Sequence, residues 1–192
     1  MSKRFALFAT AAVLAFGAVT TAPLLAQMSE KTVTVGGAPM YPSKNIIQNA
    51  VNSKDHTTLV AAVKAAGLVE TLEGAGPFTV FAPTNEAFAK LPSGTVDNLL
   101  KPENKATLVK VLTYHVVPGR MTAAGLMKAV KAGEGMAKLK TVEGDELIVK
   151  EAGPGKLTIA DAKGDVARVT IANVLQSNGV IHVIDTVLLP PM

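Results

Sequence analysis

The chain has 192 residues, of which 48% are hydrophobic and 18% are charged, and its formal net charge at pH 7 is +4. It contains no cysteine, which excludes disulfides and lipid attachment through a cysteine, so a secreted form must be stabilised by its core alone. Only 4% of the residues are aromatic and no basic stripe is present, so the composition does not support nucleic-acid binding.

The first residues have the pattern of a secretory signal peptide. Lys3 and Arg4 precede an uncharged apolar run at residues 5–19, and small residues then lead to Ala26. A basic start, an apolar stretch of roughly 7–15 residues and a small-residue exit are typical of such a leader. The run is shorter than the roughly 20 apolar residues of a membrane-spanning helix. We predict cleavage after Ala26, a secreted, periplasmic or cell-surface location and no stable membrane span afterwards; an uncleaved anchor is the alternative.

The next part of the chain is rich in helical signals. Residues 27–42 contain glycines and prolines and are interpreted as an extended arm that precedes a single domain, residues 43–192. Ser43 is predicted to cap a helix that reaches Val51, with the apolar residues of that helix facing inward. Asp55 is predicted to cap a second helix, which ends at a left-handed Gly67. Further helices are predicted over residues 93–100, 102–112 and 122–132.

Residues 78–92 are predicted to pass directly from a strand into a helix. Pro83 has no N–H to donate to a sheet and ends the strand. Thr84 or Asn85 then caps the helix, while Phe88 and Leu91 enter the core.

Short apolar runs separated by turn residues replace the helical pattern after Met136. Asn178-Gly179 lies between two such runs, and this pair favours a tight hairpin turn with positive backbone angles. Helices followed by an antiparallel meander predict an α+β fold. Strands are expected over residues 78–82, 114–117, 137–142, 146–151, 157–161, 166–175 and 180–189.

Three histidines are the residues most suited to chemistry. His56 is interpreted as a solvated residue in the first turn of a helix. His115 and His182 lie in apolar surroundings, where an unpartnered imidazole would cost roughly 1–3 kcal/mol. A hydrogen-bonded structural histidine is the favoured interpretation, and an acid–base pair or metal site that includes Asp185 is the alternative. No motif for a zinc protease, a serine nucleophile or a phosphate-binding loop is present.

Three stretches closely resemble, in order and spacing, the signatures of fasciclin-like domains. They are TVFAPTNEAFAKLP at residues 79–92, YHVVPG at 114–119 and NGVIHVIDTVLLPP at 178–191, and the likeness extends over about residues 45–190. The resemblance implies a wedge-shaped antiparallel β-sandwich with several helices packed against it. It also implies a non-catalytic adhesion role without cofactor or metal, with protein or polysaccharide partners at the cell surface or matrix.

The resemblance assigns one group of residues. In animal relatives the Tyr-His region is associated with integrin binding, which makes this region the candidate partner surface: Tyr114, His115, Val116, Val117, Pro118 and Arg120. The residue pattern itself predicts a second group that braces the scaffold, in which the two inner histidines bond to each other's surroundings or to Thr84, Asn85 or Asp185. This group consists of Pro83, Thr84, Asn85, His115, Asn178, Gly179, His182 and Asp185.

Three functions remain open from the sequence. The first is an adhesion or protein-interaction module. The second is a protein that binds a small apolar ligand or a polysaccharide in a crevice between helices and sheet. Met121, Met127 and Met136 are candidates to line an adaptable apolar pocket there, although filling the core is the favoured use of these residues. The third is a metal-dependent hydrolase built from His115, His182 and Asp185.

Overall fold

The structure is a computed structural model that describes residues 32–191, so the predicted leader and the first five residues of the arm lie outside the described residues. Two 3-10 turns, Lys54–His56 and Pro102–Asn104, accompany the regular elements. The helices are α1 Ile46–Ala50, α2 Thr57–Ala66, α3 Val69–Glu73, α4 Asn85–Ala89, α5 Thr95–Leu99, α6 Lys105–Tyr114 and α7 Ala123–Ala132. The strands are β1 Val33–Val35, β2 Ala38–Met40, β3 Phe78–Pro83, β4 Val116–Pro118, β5 Met136–Lys140, β6 Glu146–Glu151, β7 Leu157–Ala160, β8 Val166–Gln176 and β9 Gly179–Ile184.

Seven strands form one series in the order β4-β3-β9-β8-β7-β6-β5. The α+β class is confirmed, with one correction to the predicted antiparallel sheet. The last strand, β9, lies between β3 and β8 and pairs with β3 in parallel, with His182 beside Phe81. Every other pair in the series is antiparallel. The sheet is mixed because the C-terminal hairpin returns to the centre of the sheet, next to a strand formed about 100 residues earlier.

The long strand β8 joins the two halves of the sheet. Its first residues pair with β7 and its last residues pair with β9, with register irregularities between Val169 and Val174. The two ends of the series also meet, because the Val142 amide donates to the Val116 carbonyl at 2.8 Å. Such irregularities bend a strand and increase its twist, so one series of strands can fold back over its own inner face.

Two hydrophobic cores lie on opposite faces of the central strands. The first core lies between the helices α1–α6 and the outer face of β3 and β9, and it includes Leu59, Val63 and Ile181. The second core fills the space inside the folded sheet beneath α7, and it includes Phe81 and Leu126. All six residues of β9 are buried, as expected for a central strand that packs on both faces.

The helix termini confirm some local predictions and correct others. Gly67 ends α2 with a φ of +73°, the left-handed conformation predicted for it. Asn45, not Ser43, caps α1, through a capping box with Gln48, and Val51 is exposed. Asp55 lies inside the 3-10 turn that precedes α2 and does not cap this helix.

The described part of the predicted arm forms a hairpin. β1 and β2 pair in antiparallel register around Gly36-Gly37. Val35 and Met40 are buried in the first core, so this segment packs on the domain. Among residues 32–191, no helix combines the length and the apolar character that crossing a membrane requires.

Candidate functional site

The corner between β3 and α4 is built by two neighbouring polar residues with different tasks. Thr84 caps α4, since its Oγ1 accepts a hydrogen bond from the Ala87 amide at 3.2 Å. The Asn85 side chain reaches a different helix. Its Oδ1 accepts from the Thr58 amide at 3.0 Å, and its Nδ2 donates to the Lys54 carbonyl at 2.8 Å. Asn85 therefore supplies the cap that α2 lacks, because the residue at the N-cap position of α2 makes no side-chain cap bond.

Asn178 connects the β8–β9 hairpin to the helical layer. Its Nδ2 donates to the carbonyls of Leu72 (2.7 Å) and Gly74 (2.9 Å), and its Oδ1 accepts from the buried Ile46 amide at 3.1 Å. Glycine is required at 179 because a Cβ there would collide with the Phe78 carbonyl. The hairpin lies where the sequence predicts it, but neither turn residue has a positive φ. The predicted primed turn, which needs positive φ values, is therefore wrong. The backbone of the turn is held instead by the three bonds of Asn178 and by the close approach of Gly179 to the Phe78 carbonyl.

His115 joins the end of α6 to the C-terminal segment. Its Nδ1 lies 2.8 Å from the Val111 carbonyl, and its Nε2 accepts from the Leu188 amide at 3.0 Å. An imidazole that accepts at Nε2 and donates at Nδ1 is neutral. Complete burial lowers the pKa of His115 from 6.5 to about 4, and the Val111 carbonyl and the Asp161 carboxylate oppose this shift only partly.

His182 joins β9 to the entry of α7. Its Nε2 lies 2.8 Å from the Met121 carbonyl, its Nδ1 accepts from the Asn173 amide at 3.4 Å, and its ring stacks on Phe81 with centroids 5.8 Å apart. Burial lowers the pKa of His182, and the Met121 carbonyl acts in the opposite direction. The predicted bonds of the two inner histidines to Thr84, Asn85 or Asp185 are absent from residues 32–191, because backbone groups satisfy both rings.

His56 is buried, so its interpretation as a solvated residue is wrong. It is 3% exposed, and its Nδ1 lies 2.9 Å from Ser53 Oγ. Within the described residues its Nε2 has no hydrogen-bond partner. Burial lowers its pKa, and the Ala82 carbonyl and the Asp55 carboxylate oppose the shift less strongly. Its spacing of three and seven residues from Leu59 and Val63 is the sequence signal that would have placed His56 on the inner stripe of α2.

Asp185 binds backbone rather than histidine. Its Oδ1 accepts from the Arg168 amide at 2.8 Å and from the Thr186 hydroxyl at 3.1 Å, and its Oδ2 lies 3.9 Å from Lys90 Nζ. Residues 32–191 contain no group of three or more His, Cys, Asp or Glu side chains arranged to hold a metal ion. His115, His182 and Asp185, which the hydrolase hypothesis combined, therefore bond to separate parts of the scaffold.

The candidate partner surface is mostly interior. Tyr114 is the last residue of α6 and not part of a strand; its hydroxyl donates to the Glu146 carbonyl and accepts from the Ala162 amide, each at 3.1 Å. Burial raises the pKa of Tyr114. Along the same stretch Tyr114, His115, Val116 and Val117 are all buried in the two cores, so a partner docked on the folded domain does not reach them.

Pro118 and Arg120 are the two exposed members of that candidate set. Arg120 Nη2 donates to the carbonyls of Gln176 and Ser177 at 2.9 and 3.0 Å, which fixes its guanidinium beside the β8–β9 turn. The Ser177 amide in turn donates to the Lys44 carbonyl at 2.9 Å. The loop after β4 is thus tied to the turn that precedes β9 and to the segment that precedes α1.

The segments connected at this junction carry exposed apolar and basic side chains, and we refer to this set of side chains as the turn patch. Tyr41 is 37% exposed and Leu175 is 39% exposed. Lys44 Nζ lies 5.0 Å from the centre of the Tyr41 ring, within the range of a cation–π contact. Exposed aromatic, arginine and leucine side chains on a rigid base are features of protein interfaces. The turn patch consists of Tyr41, Lys44, Pro118, Arg120 and Leu175.

An apolar cavity of about 50 Å³ lies in the first core, between the helices and the sheet. Leu59, Val80 and Ile181 are among its lining residues, and Met40 is the only methionine there. None of the three candidate methionines lines this cavity: Met121 and Met127 pack against the second core, which is the favoured use, and Met136 is exposed. The cavity has room for only one or two water-sized groups.

Comparisons with known proteins agree with this architecture. The family model described as Fasciclin domain matches residues 54–190. Protein sll1483 from Synechocystis is 47% identical over 193 residues, covering 100% of this chain and 98% of that protein. The immunogenic protein MPB70 from Mycobacterium bovis is 35% identical over 147 residues, covering 74% of this chain and 67% of that protein.

A longer relative and a solved structure extend these matches. The transforming growth factor-beta-induced protein ig-h3 from Sus scrofa is 41% identical over 133 residues, which are 69% of this chain but only 17% of that protein. A FAS1 domain pair from the insect cell adhesion molecule fasciclin I superimposes with a TM-score of 0.67 at 22% identity. The superposition covers 78% of this chain and 52% of that one, and it bears on the fold alone.

Proposed function

The chain belongs to the fasciclin domain family, and we propose that it is a secreted or envelope-associated adhesion module without catalytic activity. The relatives support a protein-interaction module as the general role. The leader pattern at residues 1–26 supports export. The finer assignment, that the module binds a protein partner through the turn patch, is our proposal.

One observation carries this proposal: the imidazoles are buried and bonded within the scaffold, whereas the side chains of the turn patch are exposed to solvent. All three imidazoles are buried; His115 and His182 each bond to two backbone groups, and His56 bonds to the Ser53 hydroxyl. A general acid or base must reach the reacting atom of its substrate, and a ring buried in the core does not. The exposed side chains of the turn patch, by contrast, stand on a base fixed by Arg120 and Ser177.

The alternative of a small apolar ligand has less support. The cavity in the first core lies at the expected place, between helices and sheet, but its 50 Å³ is far smaller than the volume of a typical ligand pocket, about 300–1,000 Å³. Ligand binding there would require the helical layer to move away from the sheet.

Differential capture from an envelope fraction tests the proposed surface. The unmodified chain is immobilised as bait and compared with a double variant of the turn patch, Tyr41→Ser with Leu175→Ser. A matched control, Val51→Ser with Val142→Ser, removes two other exposed apolar side chains. We expect the control to capture the same protein as the unmodified chain and the patch variant to lose it. Equal capture by both variants would exclude the turn patch as the interface.

A further inference from the structure

Four neighbouring strands, β5 to β8, present a second surface that is separate from the turn patch. Side chains alternate between inner positions, most of which are buried, and outer positions, none of which is buried, along β5, along β7, over residues 146–150 of β6 and over residues 166–169 of β8. Helix α7 packs on the inner side, where Leu126 and Val130 join the second core. We call the outer side the β5–β8 face. Its members are Met136, Lys138, Lys140, Glu146, Ile148, Lys150, Thr158, Ala160, Val166 and Arg168.

The β5–β8 face carries four cations and one carboxylate. Lys138 and Glu146 form an ion pair of 3.2 Å. The side chains of Lys140, Lys150 and Arg168 make no ion pair or hydrogen bond with any other residue from 32 to 191. Asp185 borders the face, but its carboxylate is already held by backbone and hydroxyl groups near Lys90. Three positive charges therefore remain available to an anionic partner.

Strand pairing arranges these side chains in three adjacent rows. Lys150, Thr158 and Arg168 face one another across β6, β7 and β8. Neighbouring strands lie about 4.8 Å apart, so the backbones at Lys150 and Arg168 are about 10 Å apart. The second row runs parallel to the first and is largely apolar, with Ile148, Ala160 and Val166 as its members on the same three strands. On β5, Met136 ends the first row, Lys138 ends the second, and Lys140 lies opposite Glu146 in the third.

We propose that the β5–β8 face binds an acidic polysaccharide, a linear chain of sugar rings that carry carboxylate groups. The ring edges of such a chain present anions, which match the cationic row, and the ring faces present C–H groups, which match the apolar row. This site goes beyond the proposed function, because it concerns another surface and another class of partner.

An anionic membrane is the less suitable partner for this face. Membrane-bound surfaces insert apolar side chains below the level of the headgroups. Here Ile148 and Ala160 are half-buried, so the middle of the face has no apolar projection. The two exposed apolar side chains, Met136 and Val166, stand at opposite margins of the face, with Val166 at the end of the apolar row.

Binding of the full chain to alginate, a polymer of uronic acids, tests the proposal, with uncharged dextran as the polymer control. The face variant combines Lys140→Gln, Lys150→Gln and Arg168→Gln. The matched control combines Lys54→Gln, Lys64→Gln and Lys105→Gln, which remove the same charge from the helical layer. We expect affinity for alginate to fall about tenfold or more in the face variant and less than about twofold in the control, with a shallower salt dependence in the face variant.

A second measurement does not depend on the folding of any variant. Bound alginate is expected to protect Lys140 and Lys150 of the unmodified chain from acetylation, while Lys54 and Lys64 react as before. Equal losses in the two triple variants, uniform protection of all lysines or equal binding to dextran would overturn the proposal. So would binding to anionic phospholipid vesicles without any binding to alginate.

Discussion

At the residue scale, the buried and half-buried polar side chains of this domain act mainly as fixed connectors between segments distant in the chain. Asn85, Asn178, His115 and His182 each join two or three backbone groups from different elements. Thr84 and Asn85 could be recognised from the sequence as residues that favour a helix start, because that preference is local. The partner of Asn85 could not, because Thr58 lies 27 residues earlier.

Removal of the Asn85 side chain is expected to weaken α2 rather than α4. Asn85→Ala leaves the Thr58 amide and the Lys54 carbonyl without their side-chain partner, and a lost helix cap typically costs about 1 kcal/mol. Urea unfolding monitored by circular dichroism measures the loss. Asn52→Ala, which removes one exposed bond within its own segment, is the control and should cost less than about 0.5 kcal/mol. Equal costs would show that Asn85 has no special capping role.

His115 makes stability depend on pH in a defined direction. Its pKa is about 4 when folded and 6.5 when unfolded, so between these values the unfolded chain binds a proton that the folded chain does not. The contribution of neutral, buried His115 to the free energy of unfolding is therefore fully present above pH 6.5. It is lost as the pH falls towards 4, by about 3 kcal/mol in total. The lowered pKa values of His56 and His182 act in the same direction.

Urea titrations at a series of pH values from 7.5 to 4 measure this dependence. In His115→Gln the overall stability should be lower, but the decline between pH 6.5 and 4 should be distinctly smaller than in the unmodified chain. An identical decline in both proteins would show that His115 does not carry the effect.

At the element scale, local patterns located most helices and strands, whereas contacts between elements decided their ends. β6 has its predicted bounds, and Thr122 caps α7 as predicted. The sequence predicts a strand over residues 114–117, but α6 continues to Tyr114, whose hydroxyl is fixed between two turns of the meander. Such a tertiary contact has no signature within a short stretch of sequence.

The β8–β9 hairpin is expected to depend on Asn178 more than on its other turn residue. Asn178→Ala leaves the buried Ile46 amide and two carbonyls unsatisfied, which should cost on the order of 2–3 kcal/mol. Ser177→Ala keeps the backbone bond from residue 177 to the Lys44 carbonyl and should cost less than about 0.5 kcal/mol. Thermal or urea unfolding of the two variants makes the comparison. Similar costs would mean that Asn178 acts only as a turn former.

At the scale of the whole molecule, topology decides which residues are exposed. The parallel pairing of β3 with β9 joins the two most widely separated signature stretches, and it buries both faces of the central strands. Local patterns and the family resemblance are enough to predict the α+β class. They do not reveal that Val116 and Val117 are interior or that Tyr41 and Leu175 are exposed, because exposure depends on how every element packs.

The central claim is that the buried polar residues maintain the scaffold while recognition takes place on the surface. Calorimetric titration of the protein captured from the envelope fraction tests it on three forms: the unmodified chain, Tyr41→Ser with Leu175→Ser, and His182→Gln. We predict that the surface variant binds about tenfold more weakly or worse. His182→Gln should melt at a lower temperature but bind within about twofold of the unmodified chain when measured below its melting point. Full binding by the surface variant, together with lost binding by a folded His182→Gln, would contradict this account.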